Sequence, residues 1–190
     1  MHRNRLEPGD LSVFWGELAP AEHIAHFYEN EEVFLRTLTA FVGSGLNAGE
    51  STVVIATPEH LQALSEQLVL AGVDLELAIL QSRFFPLDAD ASLARFMVNG
   101  WPDDKLFAEF LGGLMKEASA RTRRVRAFGE MVALLWGRGH AGATVRLEHL
   151  WSQFCHSYSL PLLCSYPRTG FTRDPADSLA EICAAHSRVL

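Results

Sequence analysis

The feature that most constrains the fold is a regular alternation of short apolar strand-like segments with amphipathic helical segments. The clearest strand covers residues 51–57, a β-branched and almost wholly apolar run, which is typical of a strand buried on both faces of a parallel sheet. Pro58 begins the next helix and Gly72 ends it, because proline suits the first helical turn and glycine the position after the last. The alternation predicts a three-layer α/β domain with a mostly parallel sheet.

About five core strands are predicted, at residues 23–28, 51–57, 84–88, 124–128 and 160–166. Helical spacing of apolar residues predicts the intervening helices, including one over 91–98 and a terminal one over 177–189. This organisation divides the chain into a lead-in (1–20), one domain (21–168) and a C-terminal helix (169–190). The apolar stripe of that helix predicts that it packs on its own domain or on the same helix of a second subunit.

Composition narrows the class of protein. The chain has 190 residues, which suits one domain, and a formal net charge of −7, which argues against direct nucleic-acid binding. The basic run over residues 121–126 is interpreted as a solvated helix end and strand entry. The three cysteines are widely spaced and no apolar run approaches a membrane span, so we expect reduced thiols in a soluble cytoplasmic protein with no membrane partner.

Candidate ligand-binding residues follow from the sheet, because parallel sheets bind ligands beyond the carboxyl ends of their strands. Seven residues occupy such positions: Tyr28, Glu29, Thr57, His60, Asp88, Glu130 and Tyr166. The alternative for each of these residues is that it caps a helix or is an ordinary surface residue. Three further candidates are large side chains that could line the same pocket, although such side chains more often belong to the core: Trp101, Met131 and Trp136.

Glu130 stands out because Gly129 before it lets a ligand approach the backbone. A carboxylate there either projects into a pocket or caps the following helix. The two interpretations are compatible.

The phosphate loop of a nucleotide triphosphatase is missing. Between the first strand and its helix the chain has Tyr-Glu-Asn-Glu-Glu over residues 28–32, without the glycines and lysine that hold phosphates. We therefore expect no nucleotide hydrolysis, no catalytic residues and no cofactor. No metal site is predicted either, since His23 and His26 point to opposite faces of a strand and Cys164 is expected to be a buried, neutral thiol.

Several motifs together carry a family resemblance: Phe-Gly-Glu-Met and Ala-Leu-Leu-Trp within residues 124–136, Asn-Gly-Trp-Pro-Asp within 96–103, Leu-Glu and Leu-Trp within 147–151, and Leu-Cys-Ser-Tyr-Pro over 163–167. The chain resembles the MEDS domain, the methanogen/methylotroph, DcmR-type sensory domain. The resemblance implies a RecA/KaiC-like fold with a degenerate P-loop, in which Glu130 takes the place of a Mg²⁺-coordinating acid.

The resemblance also implies a bacterial signal-transduction module that senses small molecules such as hydrocarbon derivatives. The implied partners are an output protein or domain of the histidine kinase, PAS or transcription-regulator type. Two other functions stay open at this point: a degenerate nucleotide-binding domain that does not hydrolyse, and a ligand-free interaction module that forms a homodimer or binds a partner.

Overall fold

A computed structural model describes residues 15, 18–120, 122–168 and 176–190, with side chains in the last segment from residue 179. Its strands are β1 (His23–Tyr28), β2 (Ser51–Ala56), β3 (Phe84–Asp88), β4 (Met97–Val98), β5 (Trp101–Pro102), β6 (Val125–Gly129), β7 (Leu162–Pro167) and β8 (Arg188–Val189). Its helices are α1 (Glu31–Asn47), α2 (Pro58–Leu70), α3 (Leu75–Leu80), α4 (Ala89–Leu93), α5 (Asp104–Ala118), α6 (Met131–Gly137), α7 (Ala141–Tyr158) and α8 (Ala176–Ala184).

Within these described ranges, six strands form one sheet in the order β3-β2-β6-β7-β1-β8, and every pair in it is parallel. All residues of β2 are buried, as its apolar sequence predicts. The two sheet faces cover separate cores: Phe34, Phe128 and Leu163 lie in one, and Trp151 and Leu162 in the other. The predicted α/β fold with helices on both sides of a parallel sheet is confirmed.

Two predicted helices and the predicted number of strands need correction. The helix predicted over 91–98 is the short α4, followed by a hairpin of β4 and β5. Asn99 and Gly100 both have positive φ, 50° and 78°, which a two-residue hairpin turn requires. The terminal helix predicted over 177–189 ends at Ala184, and β8 adds a sixth strand to the predicted five. The helix α3 was not predicted.

The segment after α8 is bound to its own domain. The Ser187 N–H donates to the His23 carbonyl at 2.8 Å, the Leu190 N–H to the Ala25 carbonyl at 2.8 Å, and the Phe27 N–H to the Leu190 carbonyl at 3.0 Å. The helix α8 itself packs against α7. Packing on its own domain was one of the two arrangements predicted for this region.

The basic run over 121–126 is not solvated throughout. Arg126 is buried, and its Nε lies 2.6 Å from Glu50 Oε2. Its Nη1 donates to the Phe41 carbonyl at 2.8 Å. A Cβ on Gly45 would lie only 2.5 Å from Arg126 Nε, so the glycine in the middle of α1 makes room for the guanidinium.

No helix in the described part of the chain is both long and apolar enough to cross a membrane.

Candidate functional site

Five side chains meet where β1, β2 and β6 end, and they form what we call the strand-end cluster: Tyr28, Glu31, Thr57, His60 and Glu130. Glu130 is its centre. One carboxylate oxygen of Glu130 accepts the Thr57 N–H at 2.9 Å, and the other accepts from His60 Nδ1 at 2.7 Å. The Glu130 side chain makes no capping hydrogen bond to α6. Of the two interpretations of Glu130, the carboxylate directed into a cluster describes this geometry and the cap does not.

Local sequence explains why His60 reaches Glu130. Thr57 is the N-cap of α2, and its hydroxyl accepts the His60 N–H at 3.3 Å. Pro58 takes the first helical turn, where its missing N–H costs nothing. The cap therefore fixes His60 in the first turn of α2, directly beyond the end of β2.

His60 lies between two carboxylates. Its Nε2 is 2.8 Å from Glu31 Oε1, on the side opposite Glu130. A carboxylate only accepts hydrogen bonds, so two such partners favour the imidazolium form, which donates from both nitrogens. Burial alone would lower the pKa of His60, but the hydrogen bonds and charges of Glu130 and Glu31 raise it. The cluster thus links α1, α2 and the end of β6 through one charged bridge.

Aromatic rings form one wall of the cluster. The Phe34 ring centroid lies 4.6 Å from that of His60 and 4.9 Å from that of Tyr28. Burial raises the pKa of Tyr28 to about 12, with the charges of Glu130 and Glu31 contributing. Its phenol is therefore a neutral donor at physiological pH, beside an apolar surface.

The acidic side chains of the strand-end cluster disfavour the binding of a phosphate group. Glu31 is the first residue of α1, directly after the turn where a phosphate loop would present N–H groups and a lysine, and its carboxylate repels an anion. The neighbouring Glu29 is exposed and pairs with Arg168 at 3.1 Å. Glu31 was not among the predicted site residues, although the acidic turn that contains it was recognised.

The structure brings four of the ten predicted residues together, and the other six lie elsewhere. Asp88 caps α4 by accepting the Ala91 N–H at 2.6 Å, and the exposed Glu29 pairs with Arg168 outside the cluster. Met131 and Trp136 belong to the core of the α6–α7 side. The assignment of Met131 and Trp136 to a ligand pocket stays a prediction.

Trp101 and Tyr166 occupy two further places. Trp101 is half exposed on the β4–β5 hairpin, beside an open cleft of about 620 Å³ lined also by Asp104 and Arg146. Tyr166 is buried on the face of the sheet covered by α7, where its hydroxyl donates to Glu148. Side chains able to hold a metal ion surround Glu148.

The fold and the strand-end cluster together define an α/β domain that presents polar side chains where parallel-sheet proteins bind ligands. The model of one family, described as the MEthanogen/methylotroph, DcmR Sensory domain (MEDS), matches residues 22–187. The chain therefore belongs to the MEDS family, and its role is that of a sensory domain in signal transduction. No curated protein matches the sequence.

Proposed function

We propose that this domain binds a small, largely apolar molecule of the hydrocarbon-derivative class at the strand-end cluster and passes its ligand state to an output partner in the cytoplasm. The partner is a histidine kinase, PAS or transcription-regulator type of protein, and the domain itself catalyses no reaction. The observation that carries the proposal is the Glu31–His60–Glu130 bridge, which ties two helices to a strand end within reach of Phe34 and Tyr28.

A sensor needs a contact for its ligand and a structural change that depends on that contact, and the bridge supplies both. A ligand with one polar group can replace a hydrogen bond of His60 or Glu130, while its apolar part lies on the Phe34 ring. Breaking one side of the bridge releases α1 or α2 from the end of β6. Such a ligand favours one helix arrangement over the other, and a difference of about 1–3 kcal/mol is the usual coupling between two sites.

A ligand screen tests the proposal. Short-chain alcohols, ketones and halogenated hydrocarbons are titrated into the ¹⁵N-labelled protein, and amide shifts of residues in the strand-end cluster are followed by NMR. We expect binding by at least one of these classes and at least about tenfold weaker binding in Glu130→Gln, the loss of one charged hydrogen bond. Glu29→Gln, which changes an exposed acid that follows β1 outside the cluster, is the matched control and should bind normally. Shifts confined to residues outside the cluster, or equal binding by both variants, would contradict the proposal.

Glu130→Gln should also change the titration of His60. The glutamine oxygen still accepts the Thr57 N–H, and His60 can lose its proton and so leaves no unpaired charge, so the free energy of unfolding should change by only about 1 kcal/mol, the net value of one hydrogen bond. The raised pKa of His60 stabilises the wild-type fold below the unfolded value of about 6.5, and this contribution is lost as pH rises through the folded pKa. We expect the variant to show a lower His60 pKa by NMR and a smaller decline in stability above about pH 6.5. An unchanged His60 titration would show that Glu130 does not hold its proton.

ATP and GTP hydrolysis should be negligible. Phosphoryl transfer depends on the loop that positions the phosphates and on its lysine, and Glu31 stands in their place. Phosphate release is measured with Mg²⁺ present, with Glu130→Gln as the comparison. Turnover by the wild type that the variant abolishes would overturn the non-enzymatic assignment and would favour a nucleotide ligand.

A further inference from the structure

A second group of polar side chains lies on the opposite face of the sheet from the strand-end cluster, and we call it the buried cluster: His23, Glu148, Cys164 and His186. All four side chains are buried, and one ligand atom from each lies within 4.8 Å of every other. They come from β1, α7, β7 and the segment between α8 and β8. The topology therefore brings together residues that lie up to 163 positions apart, from His23 to His186.

Four of the six separations between these ligand atoms are close to the edge of a tetrahedron around a metal ion, and the other two are below 4.8 Å. His23 Nε2 and His186 Nε2 lie 3.2 and 3.4 Å from Glu148 Oε2, and Cys164 Sγ lies 3.5 Å from His23 Nε2 and 3.7 Å from Glu148 Oε2. Zn²⁺ binds N, O and S ligands at about 2.0–2.3 Å, and the edge of such a tetrahedron is about 3.3–3.8 Å. The four measured separations agree with that edge to within about 0.1 Å.

The outer nitrogens of both histidines have the partners that metal-bound imidazoles usually have. His23 Nδ1 lies 3.1 Å from the Ala185 carbonyl, and His186 Nδ1 lies 2.6 Å from the Ile182 carbonyl. A carbonyl only accepts, so each Nδ1 carries the hydrogen. In the neutral ring, each Nε2 then directs a lone pair toward Glu148. His186 Nε2 is buried and makes no hydrogen bond.

A lone pair facing a carboxylate is unfavourable unless a proton or a metal cation lies between them, and only a metal ion satisfies both imidazoles, the thiol and the carboxylate at once. We propose that the buried cluster binds one divalent transition-metal ion, Zn²⁺ by its mixed N, S and O donors, through His23 Nε2, His186 Nε2, Cys164 Sγ and a Glu148 oxygen. A thiolate and a carboxylate neutralise the dication, and the two imidazoles are neutral. The site thus carries no net charge in the core. Tyr166 donates to the second Glu148 oxygen and orients it.

The ion would fasten the segment after α8 to the domain, since His186 immediately precedes the residues that pair with β1. This inference does not depend on the proposed ligand site, because the two clusters lie on opposite faces of the sheet.

Metal analysis and cobalt spectroscopy test the site in the full chain. Protein purified without chelator, then loaded with Zn²⁺ and desalted, should retain one equivalent of zinc. Co²⁺ in place of zinc should give the intense visible bands of tetrahedral cobalt and a thiolate charge-transfer band. A free Zn²⁺ concentration of about one hundred times the Kd should raise the Tm of the protein by roughly 5–10 °C.

Three variants separate the site from incidental binding. Cys164→Ser should lose the charge-transfer band, and His186→Ala should lose most of the bound metal and the Tm shift. Cys183→Ser, a partly exposed thiol near His186 that lies outside the cluster, should behave as the wild type. His186→Ala is the decisive variant if Cys164→Ser does not fold, because His186 lies in the terminal segment. Retention of a full equivalent in His186→Ala, or no retention by the wild type, would overturn the metal site.

Discussion

Replacing Arg126 with alanine should lower the free energy of unfolding by about 3–5 kcal/mol, the usual cost of removing one partner from a buried ion pair. Arg126 is 2% exposed, and its side chain binds Glu50, the Phe41 carbonyl and the face of the Phe41 ring. The variant leaves the Glu50 carboxylate without its buried partner. It also leaves a cavity beside Gly45, against which the Arg126 side chain packs.

Urea unfolding of the variant measures this loss, and Arg124→Ala is its control. Arg124 is largely exposed and lies 3.9 Å from the same carboxylate, so its removal should cost no more than about 0.5 kcal/mol. Equal losses in the two variants would mean that Glu50 is solvated in solution and that the pair is not buried. A double variant, Arg126→Met with Glu50→Leu, should recover most of the loss because it removes both charges together.

The second large effect is expected from ending the chain after Ala184. The truncation removes the hydrogen bonds of Ser187 and Leu190 to β1, breaks the β1–β8 pairing and takes His186 away from the buried Glu148. Each net hydrogen bond contributes about 1 kcal/mol, and an unpaired buried carboxylate costs more. We expect the free energy of unfolding to fall by about 3–5 kcal/mol in metal-free buffer.

The truncated and full-length proteins are both treated with chelator before unfolding. The difference in stability then reports the lost contacts and not the loss of a bound metal ion. Arg188→Gln is the matched control, since it removes the partly exposed ion pair with Glu22 at 3.0 Å and keeps the strand. Light scattering on the same samples reports association, because the truncation makes β1 an open sheet edge. A truncated protein with wild-type stability would show that the terminal segment is detached in solution.

The long strands and helices could be predicted because each carries its own apolar period. The strand β8 could not be predicted, because two residues are too few to show a periodic apolar pattern. Only its pairing with β1 defines it as a strand. The hairpin of β4 and β5 was missed for a similar reason: Asn99 and Gly100 were recognised as a loop, but their turn type depends on the residues that pair across it. Element type was therefore predictable wherever the signal was local.

The same distinction explains which site residues were found. Thr57, His60 and Glu130 directly follow strands, so the strand-end rule identifies them from sequence. Glu31 belongs to the cluster only because α1 and α2 lie side by side, which no local pattern specifies. His23 and Cys164 were correctly predicted to lie on strands, but that they meet depends on β1 pairing with β7.

The sheet order also determines when this domain can finish folding during its synthesis. In the described part of the sheet, β1 is paired only with β7 and β8, so it has no strand partner on the ribosome until residue 162 and beyond have been made. Translation proceeds at about 5–20 residues per second, so β1 remains without a strand partner for on the order of ten seconds. Nascent chains of this domain should therefore depend on chaperones more than their length suggests, and slowing the ribosome within residues 29–161 should increase misfolding.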